Sequence, residues 1–197
     1  MVIYGRPFDF FKTLCLNKVA YKDDFSELQF FKNGRSALHS CLEQIGLQPG
    51  DGILVPAFFC ASALDPLEKA GFEIKYIDIR MDLEFDLTDL ANAIRFKGVK
   101  ALILVHYFGF YARNTKKVSD LCRAHNVKLI EDFCQSPSLY LNYFNKKSFS
   151  DASVVSFRKG FDLPDGGVLA LGNAANLPER VRPSKSLKRE IMQTILF

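Results

Sequence analysis

At 197 residues, 48% of them hydrophobic, the chain is long enough to bury one sizeable core, and its formal net charge of +4 is too mild to mark a polyanion binder by itself. Its five cysteines, Cys15, Cys41, Cys60, Cys122 and Cys134, are scattered without a Cys-x-x-Cys pair, which argues against a disulfide framework or zinc site and for a reducing, cytoplasmic setting. There is no run of about 18 apolar residues, and Arg6 and Asp9 break any secretory pattern near Met1, so no membrane partner is expected.

In chain order, the segment 1–32 is rich in phenylalanine and has no clean period. It is expected to be loop and a short strand that packs against the sheet or a partner chain. Ala37 to Leu47 carries apolar residues at Ala37, Leu38, Cys41, Leu42 and Ile45, a helical spacing. Gln48-Pro49-Gly50-Asp51-Gly52 reads as a turn and Ile53-Leu54-Val55-Pro56 as a short buried strand. A helix from Ser62 to Ala70 ends on Gly71 as its C-cap. Glu73 to Ile79 is a strand, and Asp86 to Ile94 a helix with an acidic first turn. Lys100 to His106 is the most apolar strand; a helix capped by Asn114 or Thr115 then runs to His125. Val127 to Glu131, Ala152 to Phe157 and Gly167 to Leu171 complete the strands, the last one following the pair Gly166-Gly167. Ser184 caps a final helix, Leu187 to Leu196, that stops on apolar residues, so further chain or a partner is expected to cover it. The basic residues between Glu179 and Glu190 have no aromatics among them to stack bases. They read as a solvated helix face, and no nucleic-acid partner is expected.

Short, continuous apolar strands alternating with helices predict an α/β domain with three layers, α/β/α, around a mostly parallel, seven-stranded sheet. Ligands collect at the carboxyl ends of such strands, where His106, Asp132, Gln135, Ser156 and Lys159 fall. Lys159, just past a strand, is placed to act as an amine nucleophile toward a carbonyl cofactor. Asp132 puts a carboxylate on another strand end, and this lysine–carboxylate pair is what pyridoxal phosphate chemistry requires. Asn33-Gly34-Arg35-Ser36-Ala37-Leu38-His39 opens a helix whose N–H groups at Arg35 and Ser36, with the Ser36 hydroxyl, suit a phosphate, and Gly34 lets the main chain come close. Each residue also has a plainer reading. Lys159 fits a solvated loop, Asp132 a helix N-cap, Gln135 and Ser156 ordinary strand-end polar positions, and the Gly34 segment a simple N-cap. His106 reads as a satisfied core histidine and Asp165 as a turn residue. Arg158 reads equally as a phosphate contact, a substrate contact or a solvated side chain.

Six segments in order, from Asn33 to Leu171, resemble the DegT/DnrJ/EryC1/StrS sugar aminotransferases, which are fold-type I pyridoxal-phosphate enzymes. Asn33 to His39 resembles the family's small-Gly-Thr-Ala-Ala-Leu-His run, Val55-Pro56-Ala57-Phe58 its Val-Pro-Ser/Ala-aromatic strand end, and Gly71 to Asp78 its Gly-Ala-x-Pro-Val-Phe-Val-Asp. Val105-His106-Tyr107-Phe108-Gly109 is similar to Val-His-Leu-Tyr-Gly, Ile130 to Gln135 to Ile-Glu-Asp-x-Ala-Gln, and Ser156 to Gly167 to Ser-Phe…Lys…Gly-Glu/Asp-Gly-Gly. The resemblance implies that Lys159 is the Schiff-base and proton-shuttling lysine and that Asp132 pairs with the pyridine nitrogen of pyridoxal 5'-phosphate. It places Gln135, one helical turn on, near the ring hydroxyl, and Ser156 with the backbone at Arg35 and Ser36 on the phosphate. An aromatic, Phe58 or Phe59, would stack on the ring.

The chain departs from the pattern in three places. One residue, Arg158, rather than three separates Phe157 from Lys159. In many relatives the stacking aromatic falls where Cys60 stands. Neither the small C-terminal domain nor the Asn-x-Arg segment that a dimer partner contributes appears before Phe197. The expected organisation is therefore an N-terminal segment 1–32, a cofactor-binding large domain 33–175 and a basic linker helix 176–197 leading toward an absent small domain. The implied function is transfer of an amino group from a glutamate-like donor to a nucleotide-linked keto-sugar acceptor, and a homodimer is expected. The alternatives are a truncated, catalytically silent protein with a binding or regulatory role, or another lyase or dehydratase of the same fold. Lys159 argues against the dehydratases, whose known form in the family carries histidine there.

Overall fold

The computed structural model describes residues 28–143, 149–161 and 165–172, without the side chains of 141–143. The helix expected from Leu187 to Leu196 and most of the N-terminal segment lie outside these residues.

Seven strands form one sheet: β1 (Leu28–Phe31), β2 (Gly52–Pro56), β3 (Glu73–Ile77), β4 (Val99–Val105), β5 (Lys128–Asp132), β6 (Ala152–Ser156) and β7 (Gly167–Leu171), in the order β1-β7-β6-β5-β4-β2-β3. Strands β3, β2, β4, β5 and β6 pair in parallel. β7 is antiparallel to both β6 and β1, so it alone runs against the rest. Five helices cover the sheet: α1 (Gly34–Gln44), α2 (Ala61–Lys69), α3 (Leu87–Ala93), α4 (Thr115–Ala124) and α5 (Pro137–Tyr143).

The central strands β2, β4, β5 and β6 are mostly buried because both faces are covered, and the alternation of side chains splits their apolar residues into two cores. Ile53, Val55, Ala101, Ile103, Val105, Ile130, Ala152 and Val154 pack with Leu38, Cys41 and Leu42 of α1 and with Leu64 and Leu67 of α2. Their neighbours Leu54, Leu102, Leu104 and Leu129 pack on the other face with Leu90 of α3 and Val118 and Cys122 of α4. A third cluster joins Leu28 and Phe30 of β1 to Val155, Phe157, Phe161 and Tyr140. The predicted mostly parallel α/β/α sheet is thus the observed one.

Helix α1 begins at Gly34, within the segment expected to open it, because the Asn33 side chain accepts the Ser36 N–H at 3.0 Å and caps it. Other boundaries differ for local reasons. Asn114 occupies the cap position of α4 but its side chain donates to Glu84 instead, and the Thr115 hydroxyl turns back to the Ala112 carbonyl at 2.6 Å. Helix α5 was not anticipated: Pro137 sits at its first position, where a proline costs no hydrogen bond. Gln135 consequently lies in the turn between β5 and α5, not one helical turn along a helix.

Candidate active site

Period-two alternation decides which strand-end residues meet. Val105, Asp132 and Ser156 close their strands on the face shared with Ile103, Ile130 and Val154, the face that α1 crosses. Glu131 and His106 point to the opposite face. There the His106 Nδ1 accepts the Ala112 N–H at 3.1 Å, so its Nε2 carries the proton and donates to Glu131 at 2.9 Å. The ring also stacks on Tyr111 with centroids 4.6 Å apart. His106 is a satisfied core histidine, as its sequence context implied.

The first face holds a cleft of about 150 Å³. Seven of the expected site residues line it: Gly34, Arg35, Phe59, Asp132, Gln135, Ser156 and Lys159. Ser36 and Phe58 do not. The Ser36 N–H and hydroxyl are both directed at the Asn33 side chain, at 3.0 and 3.2 Å, so the cap takes the groups expected to meet a phosphate. Phe58 turns outward, 54% exposed, and stacks on Tyr107 at 5.6 Å.

The cleft is assembled by close approach of backbones. A Cβ on Gly34 would lie 2.7 Å from the Cys134 sulfur and 3.3 Å from Ser156 Cβ, so only glycine lets α1 start against β5 and β6. A Cβ on Gly167 would drive into the Asn33 carbonyl. The Gly166 N–H donates to the Lys32 carbonyl at 3.2 Å, and the Phe157 N–H to the Gly166 carbonyl at 2.8 Å. Those bonds tie the approach to Lys159, the glycine pair and the start of α1 into one unit. Lys159 itself ends a 3-10 turn, Phe157–Lys159, directly after β6.

Asp132 is buried, and among the described residues no cation bonds its carboxylate. Its Oδ1 accepts the Cys134 N–H at 2.6 Å. Burial pushes its carboxyl above the usual carboxylate range, against the hydrogen bonds from Cys134 and the pull of Lys159 and His106. Gln135 Oε1 is buried without a partner. The N–H groups of Gly34 and Arg35 at the start of α1 and the Ser156 hydroxyl likewise have no partner among the described residues. A buried polar atom such as Gln135 Oε1 is rarely left unpaired, and together with the open donors beside it the cleft is chemically suited to a polar ligand.

Two cysteines complete the lining, and sequence reasoning gave neither a role in the cleft. Cys134 follows the period of β5 and closes the floor under Gly34; burial holds its thiol well above the ordinary value. Cys60 caps α2, and a hydrogen bond with Ser62 at 3.1 Å lowers its thiol from the ordinary value. Phe59 is the one expected aromatic that faces the cleft.

Residues 30–184 match the DegT/DnrJ/EryC1/StrS aminotransferase family. The chain belongs to that family. It is 29% identical to a GDP-perosamine synthase from Vibrio cholerae over 140 residues, 70% of this chain and 38% of the relative. It is 27% identical to a dTDP-4-dehydro-2,3,6-trideoxy-D-glucose 4-aminotransferase from Saccharopolyspora spinosa over 135 residues, 68% of this chain and 34% of the relative. Among solved structures, NtdA from Bacillus subtilis with bound cofactor PMP superposes with a TM-score of 0.65 at 22% identity, covering 86% of this chain and 38% of that one. The chain therefore shares the family's large-domain fold and spans well under half the length of these relatives. No described helix is long and apolar enough to cross a membrane.

Proposed function

We propose that the cleft holds pyridoxal 5'-phosphate and that the chain carries the cofactor-binding part of an aminotransferase acting on a nucleotide-linked keto-sugar. The observation that carries the reading is Asp132, a buried carboxylate that no cation among the described residues bonds, in one cleft with Lys159. The unmet groups fit the cofactor one by one. Asp132 suits a protonated ring nitrogen, Gln135 Oε1 a hydroxyl or other donor at the ring edge, and Phe59 the ring face. The N–H groups of Gly34 and Arg35 and the Ser156 hydroxyl suit a phosphate.

When bound, the cofactor supplies an aldehyde carbon and an electron-withdrawing ring. The chain's own residues do the rest. Lys159 would supply the amine that meets that aldehyde and the base that moves a proton between donor and product carbons. Asp132 holds a proton at the ring nitrogen, a charge-assisted contact strengthened by its burial. Gly34 keeps the main chain close enough for the helix start to reach an anion.

The names of the relatives, both directed at nucleotide-linked sugars, support the acceptor class, with an amino acid such as glutamate as donor. A homodimer belongs to the same reading. Exposed Phe58, next in sequence to the cleft residue Phe59, and Phe108, whose ring is 6.2 Å from that of Phe58, support a second copy there. The test is an absorbance spectrum of the full chain with pyridoxal phosphate, then with glutamate. A lysine-dependent band near the visible–ultraviolet boundary is expected, lost in Lys159→Ala and shifted by glutamate. A wild-type chain with no such band would overturn the reading and favour the catalytically silent alternative.

A further inference from the structure

Two thiols line the same cleft, and their surroundings act on them in opposite directions. Cys134 is 9% exposed, and burial holds its thiol well above the ordinary value. Burial raises the thiols of Cys41 and Cys122 in the same way. Cys60 stands at the start of α2 and is the one exposed cysteine among the described residues. The Ser62 hydroxyl, 3.1 Å from its sulfur, is the main influence that lowers its thiol. The Ser62 N–H, Lys159 and the Ala63 N–H pull in the same direction, against slight burial. The other charged residues on the lining, Arg35 and Arg158 against Asp132, leave the cleft with an excess of cations, which favours a thiolate. Cys60 thus combines access with thiolate character, the two properties that decide which cysteine an oxidant attacks.

The cleft is also suited to a small polar molecule. Ser156 is 3% exposed, lines it, and has no partner for its hydroxyl among the described residues. Gln135 Oε1, on the same lining, is buried and unpartnered. A peroxide both donates and accepts hydrogen bonds, and it is far smaller than the cleft of about 150 Å³. Cys60 shares that lining with Asp132 and Lys159, so an oxygen added to its sulfur is added beside the volume read above as the cofactor's.

We propose that Cys60 is an oxidation site, at which a hydroperoxide closes the cleft to its cofactor. What the cleft takes rests on the cofactor reading above; the oxidation rests on the thiol and its neighbours. The Cys60 sulfur attacks one peroxide oxygen, a sulfur–oxygen bond forms, and the oxygen–oxygen bond breaks. The leaving hydroxide takes a proton and becomes water. Sulfur gives up two electrons, the peroxide receives them, and the product is a sulfenic acid. A dithiol such as dithiothreitol then displaces the added oxygen as a second water and returns the thiol, itself closing to a disulfide.

The test treats the full chain with hydrogen peroxide, traps sulfenic acid with dimedone and locates it by peptide mass spectrometry. Cys60 should be labelled about tenfold faster than Cys41, Cys122 or Cys134, and Ser62→Ala should slow it about threefold. Prior saturation with pyridoxal phosphate should protect it. The oxidised chain should bind pyridoxal phosphate about tenfold more weakly by absorbance, and dithiothreitol, removed before titration, should restore binding. Cys60→Ser, referred to its own untreated titration, should show no peroxide effect. Equal labelling of Cys60 and Cys134, or a Cys60 rate that Ser62→Ala leaves unchanged, overturns the oxidation site. Unchanged affinity after Cys60 is oxidised, or a loss that persists in Cys60→Ser, overturns the closure and leaves the cofactor reading standing. If the untreated chain binds no pyridoxal phosphate, the cofactor reading falls and the closure with it, and the labelling ratio alone decides the oxidation site.

Discussion

Two clefts lie at opposite ends of the parallel strands, and each contains an aspartate from the sheet or its edge. At the amino ends, a cleft of about 350 Å³ is lined by Ser119, Arg123, Lys128, Asp151 and Gly172 among others. There Asp151 accepts from Lys128 Nζ at 2.8 Å and from the Leu129 N–H at 2.9 Å, and the Ser119 hydroxyl donates to the Phe149 carbonyl. At the carboxyl ends, the cleft of about 150 Å³ holds Asp132, bonded only within its own turn, with the unpartnered Gln135 Oε1 and Ser156 hydroxyl. The larger cleft is the satisfied one. On the reading proposed above, unmet hydrogen-bonding demand rather than volume singles out the smaller cleft, because leaving buried polar groups unpaired costs free energy that a ligand can recover.

The most damaging way to probe the comparison is at the two ends of β7. A side chain at Gly167 would strike the Asn33 carbonyl, and one at Gly172 the Ser150 carbonyl. Gly167→Ala and Gly172→Ala should each cost on the order of 3 kcal/mol in a denaturant titration. Only Gly167→Ala should also abolish binding of pyridoxal phosphate, because it displaces the start of α1. Loss of binding in Gly172→Ala would show that the two ends are coupled.

The aspartates themselves give a smaller, crossed effect. Asp132→Asn removes a buried charge whose desolvation outweighs the pull of Lys159, so the ligand-free protein should unfold at an equal or higher temperature, while affinity for pyridoxal phosphate falls by on the order of 2 kcal/mol. Asp151→Asn should do the opposite, costing about 1 kcal/mol of stability and leaving affinity unchanged, since its pair is partly exposed. If both substitutions lowered stability alike, Asp132 would be a structural residue.

The subtlest effect is in the pH dependence. The folded state holds the proton on Asp132 more tightly than the unfolded chain does. Its contribution is therefore fully present below the ordinary carboxylate range and is lost as pH rises through the raised value. Stability of the ligand-free protein should carry a downward slope across that window, and the slope should flatten in Asp132→Asn. An identical profile in the two proteins would place the Asp132 carboxyl outside the buried setting described.

Much of the site follows from local pattern. The alternation along β5 and β6 sends Asp132 and Ser156 to one face and Glu131 to the other, and the position of Lys159 just beyond β6 can be read directly from the apolar run before it. Other parts had no local signal. Around Ser36 the sequence offered both a plain N-cap and a phosphate contact, and only the structure shows that Asn33 claims both the Ser36 N–H and its hydroxyl. Phe58 and Phe59 are adjacent and chemically alike; Tyr107, from a distant strand end, decides which one turns outward. Cys134 gains its place only because Gly34, about a hundred residues earlier in sequence, is pressed against it.

The sequence alone therefore determined the alternation of strands and helices, the mostly parallel character of the sheet and the strand ends where a ligand would sit, because these depend on periods of 2 and 3.6 and on short-range turn chemistry. The tertiary structure alone decided which of the polar residues collected there meet one another and which are already satisfied. That outcome depends on backbone approaches between segments distant in the chain, at Gly34 and Gly167, which no local pattern encodes.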